Sequence, residues 1–310
     1  MEYTITTRGL SKAYQGKEVI SNVNMNVRKG EIYGFLGPNG AGKTTIMKML
    51  TTLVKPTAGD IHLFNELLTA SSYEVLGRIG SIIEYPIFYE KMTARQNLEL
   101  HREYMGYHNK QAVQEALDLV QLRGIDHKPV KEFSLGMKQR LGIARAILTK
   151  PELLILDEPI NGLDPQGIKD FRSLFQILSR EYGITLLIST HLLGEIEQIA
   201  DTIGVISGGR LLEEVSMDNI RGQNTEFMEL VTSEQSRAAV LINHQMGISN
   251  YKVLHDNIVR IYDDKINQKD LFKALAENNI DIQSINKKVM SLEEYFLDLV
   301  QRDSKMNEGA

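Results

Sequence analysis

The sequence predicts an α/β fold with a phosphate loop, an inserted helical stretch and a smaller α+β unit towards its C-terminal end. Three observations predict it. The motif GPNGAGKTT at 37–45 stands between an apolar run and a helical pattern. Strand and helix patterns alternate up to about residue 217, broken once by a mostly helical stretch. Beyond a polar break the order becomes β-α-β-β-α-β, that of a split βαβ unit of ferredoxin-like type.

Composition sets the outer limits. A chain of 310 residues holds one large core and a smaller domain. Its net charge of −5 provides no basic footprint, so no nucleic-acid partner is expected. The absence of cysteine rules out disulfides and cysteine-held metals. The first residues lack the basic and apolar regions of a signal peptide. No apolar run approaches the ~20 residues of a membrane helix. The expectation is a cytoplasmic chain that does not cross a membrane unaided.

In chain order, residues 3–6 and 19–27 read as strands, with Leu10 to Tyr14 between them. Residues 31–36 form an apolar, aromatic run that leads into the motif as a buried strand. Gly37, Gly42, Lys43 and Thr44 occupy the fixed positions of G-x-x-x-x-G-K-[ST], with Asn39, Gly40 and Thr45 in the same loop. Residues 45–50 continue at helical spacing. In this context backbone N–H groups turn inward around phosphate oxygens, and the helix N-terminus adds partial positive charge. Lys43 is expected on the β- and γ-phosphates, and the Thr44 hydroxyl on Mg²⁺. The motif thus implies a bound nucleoside triphosphate.

A turn at 56–60 precedes a short strand at 61–64, and 78–84 is a strand stopped by Tyr85-Pro86. Thr93 and Gln96 make a capping box for a helix to about Met105, and Asn109 caps a second over 110–122. Ser134 caps a third, 137–149, so about 86–150 is an inserted helical subdomain. The continuous apolar strand 153–156 belongs inside a parallel sheet. Helix 167–182 buries Phe171, Leu174, Phe175 and Leu178 on one face. Strand 185–189, helix 191–200, strand 202–206 and the segment 210–215 complete a first domain, 1–217. A linker at 218–224 leads to an accessory domain, 225–303. It holds strand 226–231, helix 234–245, strands 250–254 and 258–262 about a turn at Asp256-Asn257, helix 268–278 and strand 281–285. Its last helix, 292–302, is capped by a Ser291/Glu294 box, and 304–310 is a mobile tail.

Two motifs add chemistry. The strand at 153–156 ends in Asp157 and Glu158, which places both carboxylates over the phosphate loop. Asp157 suits Mg²⁺, and Glu158 can orient and deprotonate an attacking water; a solvated strand end is the plainer alternative. Ser134 and Gly136 at a helix start make either a second phosphate site or a simple cap.

The stretch from Phe133 to Arg140 decides between these. Ser134, Gly136 and Gln139-Arg140 resemble the signature motif of ATP-binding-cassette (ABC) ATPases, usually leucine-serine-glycine-glycine-glutamine. Phe133, Leu135 and Met137 depart from it. Other family motifs follow. Tyr14 resembles the aromatic residue that stacks on adenine, with a core tyrosine as its alternative. Asn161 to Asp164 resembles the D-loop, with Asp164 at the subunit interface, and Ser189-Thr190-His191 resembles the H-loop, with His191 on the γ-phosphate.

The resemblance implies a P-loop ABC ATPase cassette: a RecA-like core, a β subdomain and the helical insertion. It implies Mg²⁺-dependent ATP hydrolysis in a head-to-tail homodimer, each ATP lying between the 37–45 loop of one subunit and Ser134/Gly136 of the other. It further implies a separate integral-membrane permease, docked at Tyr85 to Arg95 and the inserted helices, which holds the protein on the inner face of the cell membrane. Where the family has a glutamine loop, this chain has Glu84. That is either a tolerated swap or a carboxylate that joins Mg²⁺ and the attacking water. A glutamate here, the segment 133–146 and Ser291 to Phe296 resemble ATPases of bacitracin export and lantibiotic self-protection. The implied function is efflux of a peptide antibiotic. The alternatives are export of another cargo, such as a glycolipid or polysaccharide, and a soluble ABC protein acting on nucleic acid or ribosomes.

Overall fold

The structure, a computed structural model, describes residues 2–222, 226–254, 257–263, 266–289, 292–296 and 299–300. They fall into two compact units, one built on 2–217 with 299–300 and one on 218–298. Gln223 and Asn224 of the expected linker, Asp256 of the turn, the Ser291 cap and the tail at 304–310 lie outside the described residues.

The first unit begins with β1 (Tyr3–Tyr14), β2 (Lys17–Val23), β3 (Asn26–Arg28), β4 (Ile32–Leu36), α1 (Lys43–Leu50), β5 (Ala58–Leu63), β6 (Glu66–Leu67), α2 (Tyr73–Gly77) and β7 (Ile79–Ile82). Next come α3 (Ala94–Tyr104), α4 (Ala112–Leu119), a 3-10 turn and α5 (Leu135–Ile147). It continues with β8 (Leu153–Asp157), α6 (Pro165–Arg180), β9 (Thr185–Thr190), α7 (Leu193–Ile196), β10 (Thr202–Ser207) and β11 (Arg210–Ser216).

β2, β1, β5 and β6 form an antiparallel sheet in that order, with β3 also paired to β1. The second sheet runs β11-β10-β4-β9-β8-β7 and is parallel except at β11. β4, β8 and β9 are buried along their whole length, so they read as continuous apolar runs without alternation. Register then fixes the site. Leu36 pairs with Thr190, and Asp157 with Ser189, so three strands end level with one another. The phosphate loop, the two acids and His191 therefore emerge from one edge of the sheet.

Several boundaries move for local reasons. The strand expected at 19–27 is two strands, because Asn22 takes φ +50 and Asn24 turns its side chain back to accept from the Gly9 N–H. β1 continues through Leu10 to Tyr14: Gly9, at φ +58, bends it, and a register shift lets it exchange partners along its length. The Thr93/Gln96 capping box forms as expected. Asn109 does not cap α4; its Oδ1 accepts from Gln111 N at 2.9 Å, an Asx turn ahead of the helix. α5 begins immediately after Ser134, whose Oγ accepts from Met137 N. The helix expected at 191–200 shortens to α7.

The second unit opens with α8 (Met217–Gly222), so the expected linker is in part helical. Then come β12 (Glu226–Val231), α9 (Gln235–His244), β13 (Tyr251–Val253), β14 (Ile258–Ile261), α10 (Gln268–Glu277) and β15 (Ser284–Val289). The sheet is antiparallel, ordered β13-β14-β12-β15. Each βαβ half is thus split by a strand of the other, the ferredoxin-like arrangement. Met228, Leu230, Val259 and Ile261 pack with Leu241, Ile242, Leu271 and Leu275 of the two helices. The strand expected at 281–285 lies further on as β15, and residues 299 and 300 group with the first unit.

Candidate nucleotide site

The loop after β4 is shaped by its glycines. A Cβ on Gly37 would lie 2.4 Å from the Ile206 carbonyl oxygen, and one on Gly42 would lie 2.3 Å from Ile20 Cδ1. Gly40 and Gly42 also take φ of +80 and +110, which side chains rarely adopt. Gly42 is the N-cap of α1 and supplies no side-chain cap, so the first N–H groups of that helix are open to an anion. Asn39 is exposed on the loop, and Thr45 is half-buried on α1.

Lys43 is only 5% exposed. Its Nζ donates to the Gly37 carbonyl at 2.6 Å and lies 3.4 Å from Glu158 Oε1. Oε1 is buried and accepts no hydrogen bond, so this contact is an ion pair without an aligned N–H. Glu158 Oε2 meets His191 Nδ1 at 2.9 Å. The carboxylate of Glu158 therefore bridges Lys43 and His191.

A second chain of oxygens runs beside it. Thr44 Oγ1 donates to Asp157 Oδ2 at 2.7 Å, and Ser189 Oγ donates to Asp157 Oδ1 at 2.6 Å. Asp157 is 5% exposed. These groups are all hard oxygen donors, which is the set Mg²⁺ prefers. No cluster of three or more His, Asp or Glu able to hold a metal occurs among the described residues. A cation here would take its remaining ligands from phosphate and water, as Mg²⁺ commonly does.

The other expected residues are placed as follows. Tyr14 ends β1 and is 47% exposed, with Lys12 Nζ 4.8 Å from its ring centroid, which removes the core-tyrosine alternative. Ser134 is exposed at the start of α5. No hydrogen bond or ion pair joins Ser134 or Gly136 to the 37–45 loop among the described residues. Asp164 caps α6, accepting from Gly167 N at 3.1 Å, a local role the sequence reading missed although Asp before Pro is an N-terminal signal.

Glu84 is not brought to the Thr44–Asp157 pair. Its carboxylate meets Lys48 Nζ at 2.6 Å, and its side chain is 60% exposed. Lys48 lies one helical turn beyond Thr44 on the same face of α1, and it pairs with the carboxylate there. In the sequence Ser189 stands out only as part of the Ser189-Thr190-His191 motif. Its signal is a hydroxyl following the apolar run Leu186 to Ile188 in a buried strand, where a polar group must find a partner.

Known proteins resemble this chain in sequence and in fold. Residues 20–161 match the family model described as ABC transporter. YcbN of Bacillus subtilis (strain 168), called an uncharacterized ABC transporter ATP-binding protein, is 66% identical over 98% of this chain and 99% of its own. The bacitracin transport ATP-binding protein BcrA of Bacillus licheniformis is 47% identical over 97% of this chain and 98% of its own. The lantibiotic transport ATP-binding protein SrtF of Streptococcus pyogenes is 43% identical over 74% of this chain and 98% of its own. A solved ATP-binding subunit of an ABC transporter superposes with a TM-score of 0.64 at 30% identity, covering 71% of this chain and 92% of that one. This chain belongs to the ATP-binding proteins of ABC transporters, ATPases that couple hydrolysis to transport.

Proposed function

We propose that this chain powers efflux of, or self-protection against, a peptide antibiotic of bacitracin or lantibiotic type, through a separate membrane permease. The observation that carries this is the relation to BcrA, which extends over 97% of the chain, second unit included. The relation to SrtF covers 74%, which favours the bacitracin type. Among the described residues no helix is long and apolar enough to cross a membrane, so the pathway would lie in a partner. Tyr85, Ile87, Tyr89 and Tyr104 are exposed, Ile87 to 83%, and form the apolar surface on which that partner would dock. The protein would then work in the cytoplasm, peripheral on the inner face of the membrane. The test is expression with its permease in a sensitive host. Resistance to bacitracin or a lantibiotic, and not to unrelated drugs, is expected; protection only against another cargo would sink the cargo assignment.

In the reaction, Lys43 leaves the Gly37 carbonyl for the β- and γ-phosphates, while Tyr14 stacks on the adenine. Thr44 and Asp157 would hold Mg²⁺, which when bound offsets negative charge on the phosphate oxygens. Glu158, released from Lys43, takes the proton of the attacking water, and His191 orients Glu158 and faces the γ-phosphate. Glu84 must exchange Lys48 for the metal's water shell to take part.

The second half of the site is assigned to a second copy of the chain, and Gly136 supports this. A Cβ there would meet only Leu163 Cδ2, at 3.5 Å, which is ordinary contact. A glycine inside a helix costs roughly 0.5–1 kcal/mol relative to alanine. The isolated chain gains nothing from that cost, whereas a phosphate approaching Ser134 and the start of α5 needs the space. Asp164, exposed beside α6, would lie at the same interface. Gly136→Asp, placed in a Glu158→Gln background, is expected to melt like its parent and to lose ATP-driven dimerisation in light scattering. An undiminished dimer would remove Gly136 from the interface.

A further inference from the structure

We propose that Ser189 is a positioning residue for hydrolysis: its one hydroxyl fixes both the carboxylate of Asp157 and the backbone of Glu158. The inference rests on the roles assigned above to those two acids.

Ser189 is fully buried in β9 and is the register partner of Asp157 across the β8–β9 pair. Its Oγ has two polar neighbours, Asp157 Oδ1 at 2.6 Å and Glu158 N at 2.9 Å. Proton inventory fixes the direction of both bonds. A backbone N–H can only donate, so Oγ accepts from Glu158. The single O–H then goes to Asp157, whose Oδ1 accepts as a carboxylate. That leaves Oδ2, the oxygen shared with Thr44, as the one facing the metal position.

The same hydroxyl supports an unusual backbone. Glu158 takes φ +48, a left-handed conformation that costs a non-glycine residue roughly 1–2 kcal/mol. Among the described residues its N–H is held only by Ser189, through Oγ and through the carbonyl oxygen at 3.2 Å. This turn at the strand end aims the Glu158 side chain at Lys43 and His191, while Asp157, one residue earlier, serves Thr44. Two adjacent acids are thus given different directions by one side chain. A buried hydroxyl serving only to fill space would be better replaced by an alkyl group, since β9 is otherwise mostly apolar.

The test compares Ser189→Ala and Ser189→Cys with the full-length wild type. Cysteine keeps the shape of the side chain with a somewhat larger atom at its end, and it is a weak donor and acceptor, while alanine tests the site without added bulk. Three quantities are read: binding of a fluorescent ATP analogue without Mg²⁺, the Mg²⁺ concentration that half-saturates nucleotide binding, and kcat with KM for ATP. Both variants are expected to bind nucleotide without Mg²⁺ as the wild type does. Both should need about 10-fold more Mg²⁺ and lose about 10–100-fold in kcat, the usual span for a residue that orients a metal ligand. KM for ATP should change by less than about twofold at saturating Mg²⁺.

A Ser189→Cys protein with wild-type kcat and Mg²⁺ requirement would overturn the proposal, because packing alone would then suffice. So would variants that lose Mg²⁺-free binding as much as hydrolysis, since that marks a general structural fault. If the alanine variant does not fold, the cysteine variant decides. A wild type that hydrolyses ATP without any divalent cation would sink the metal assignment itself. A Mg²⁺-dependent wild type beside indifferent Ser189 variants would sink only the present inference.

Discussion

Glu158→Gln is expected to keep ATP bound and to hydrolyse it about 10²–10⁴-fold more slowly, the span of a lost general base. Glutamine has nearly the same shape, and the Ser189 bonds to residue 158 are made by its backbone, so the turn should persist. What disappears is basicity. The carboxylate is held between an ammonium and an imidazole, and each relation informs the expected phenotype. In the empty protein Lys43 loses its counter-charge while almost fully buried, which lowers stability because one partner of a buried pair is left alone. With ATP present the phosphates replace that charge, and binding restores stability by mass action. The variant should therefore melt below wild type when empty and regain most of the difference with ATP. Unhydrolysed nucleotide should also accumulate the ATP-bound dimer. Single-turnover hydrolysis beside melting with and without ATP checks both parts, and a wild-type rate would remove Glu158 from the mechanism.

Much of the site was legible because its information is local. Gly37 to Thr45 announces itself by spacing, the run Leu153 to Leu156 by continuous hydrophobicity, and Thr93 with Gln96 by a box of four residues. The accessory unit was legible as an order of elements, because alternation of period and turn residues survives without knowing what packs on what. Choices among distant partners were not legible. Glu84 could face a metal or a lysine, and only the placement of α1 against the end of β7 brings Lys48 Nζ to it. Ser189 and Asp157 are 32 positions apart, and their bond exists because β8 and β9 pair in one register. A one-residue slip would turn every side chain of β9 to the other face. Asp164 was legible in part. Its family resemblance pointed outward to a partner, while its own backbone needed a cap for α6.

Lys43→Met is expected to weaken ATP binding about 10–100-fold, from the roughly 1.5–3 kcal/mol of a charge-assisted hydrogen bond. Methionine matches the unbranched stem that fills the buried space, so the loss belongs to the ammonium. The empty protein is more instructive. There Nζ holds the Gly37 carbonyl at 2.6 Å and faces Glu158 at 3.4 Å. Two consequences compete when it is removed. Burying an ammonium is itself costly, and that cost vanishes. Against it, Glu158 keeps a charge whose side chain is only 22% exposed, with His191 as its remaining partner. Breaking one member of such a pair generally costs more than removing both, because the survivor remains charged and desolvated. The single variant should then melt below wild type, and adding Glu158→Gln should raise the melting temperature again without restoring ATP affinity. Recovery of stability without recovery of binding would separate the two tasks of Lys43, holding the empty loop closed and receiving phosphate. A double variant that melts no higher than Lys43→Met alone would show that Lys43 and Glu158 are not energetically coupled in the empty site, and near-normal ATP affinity in the single variant would place the phosphates elsewhere.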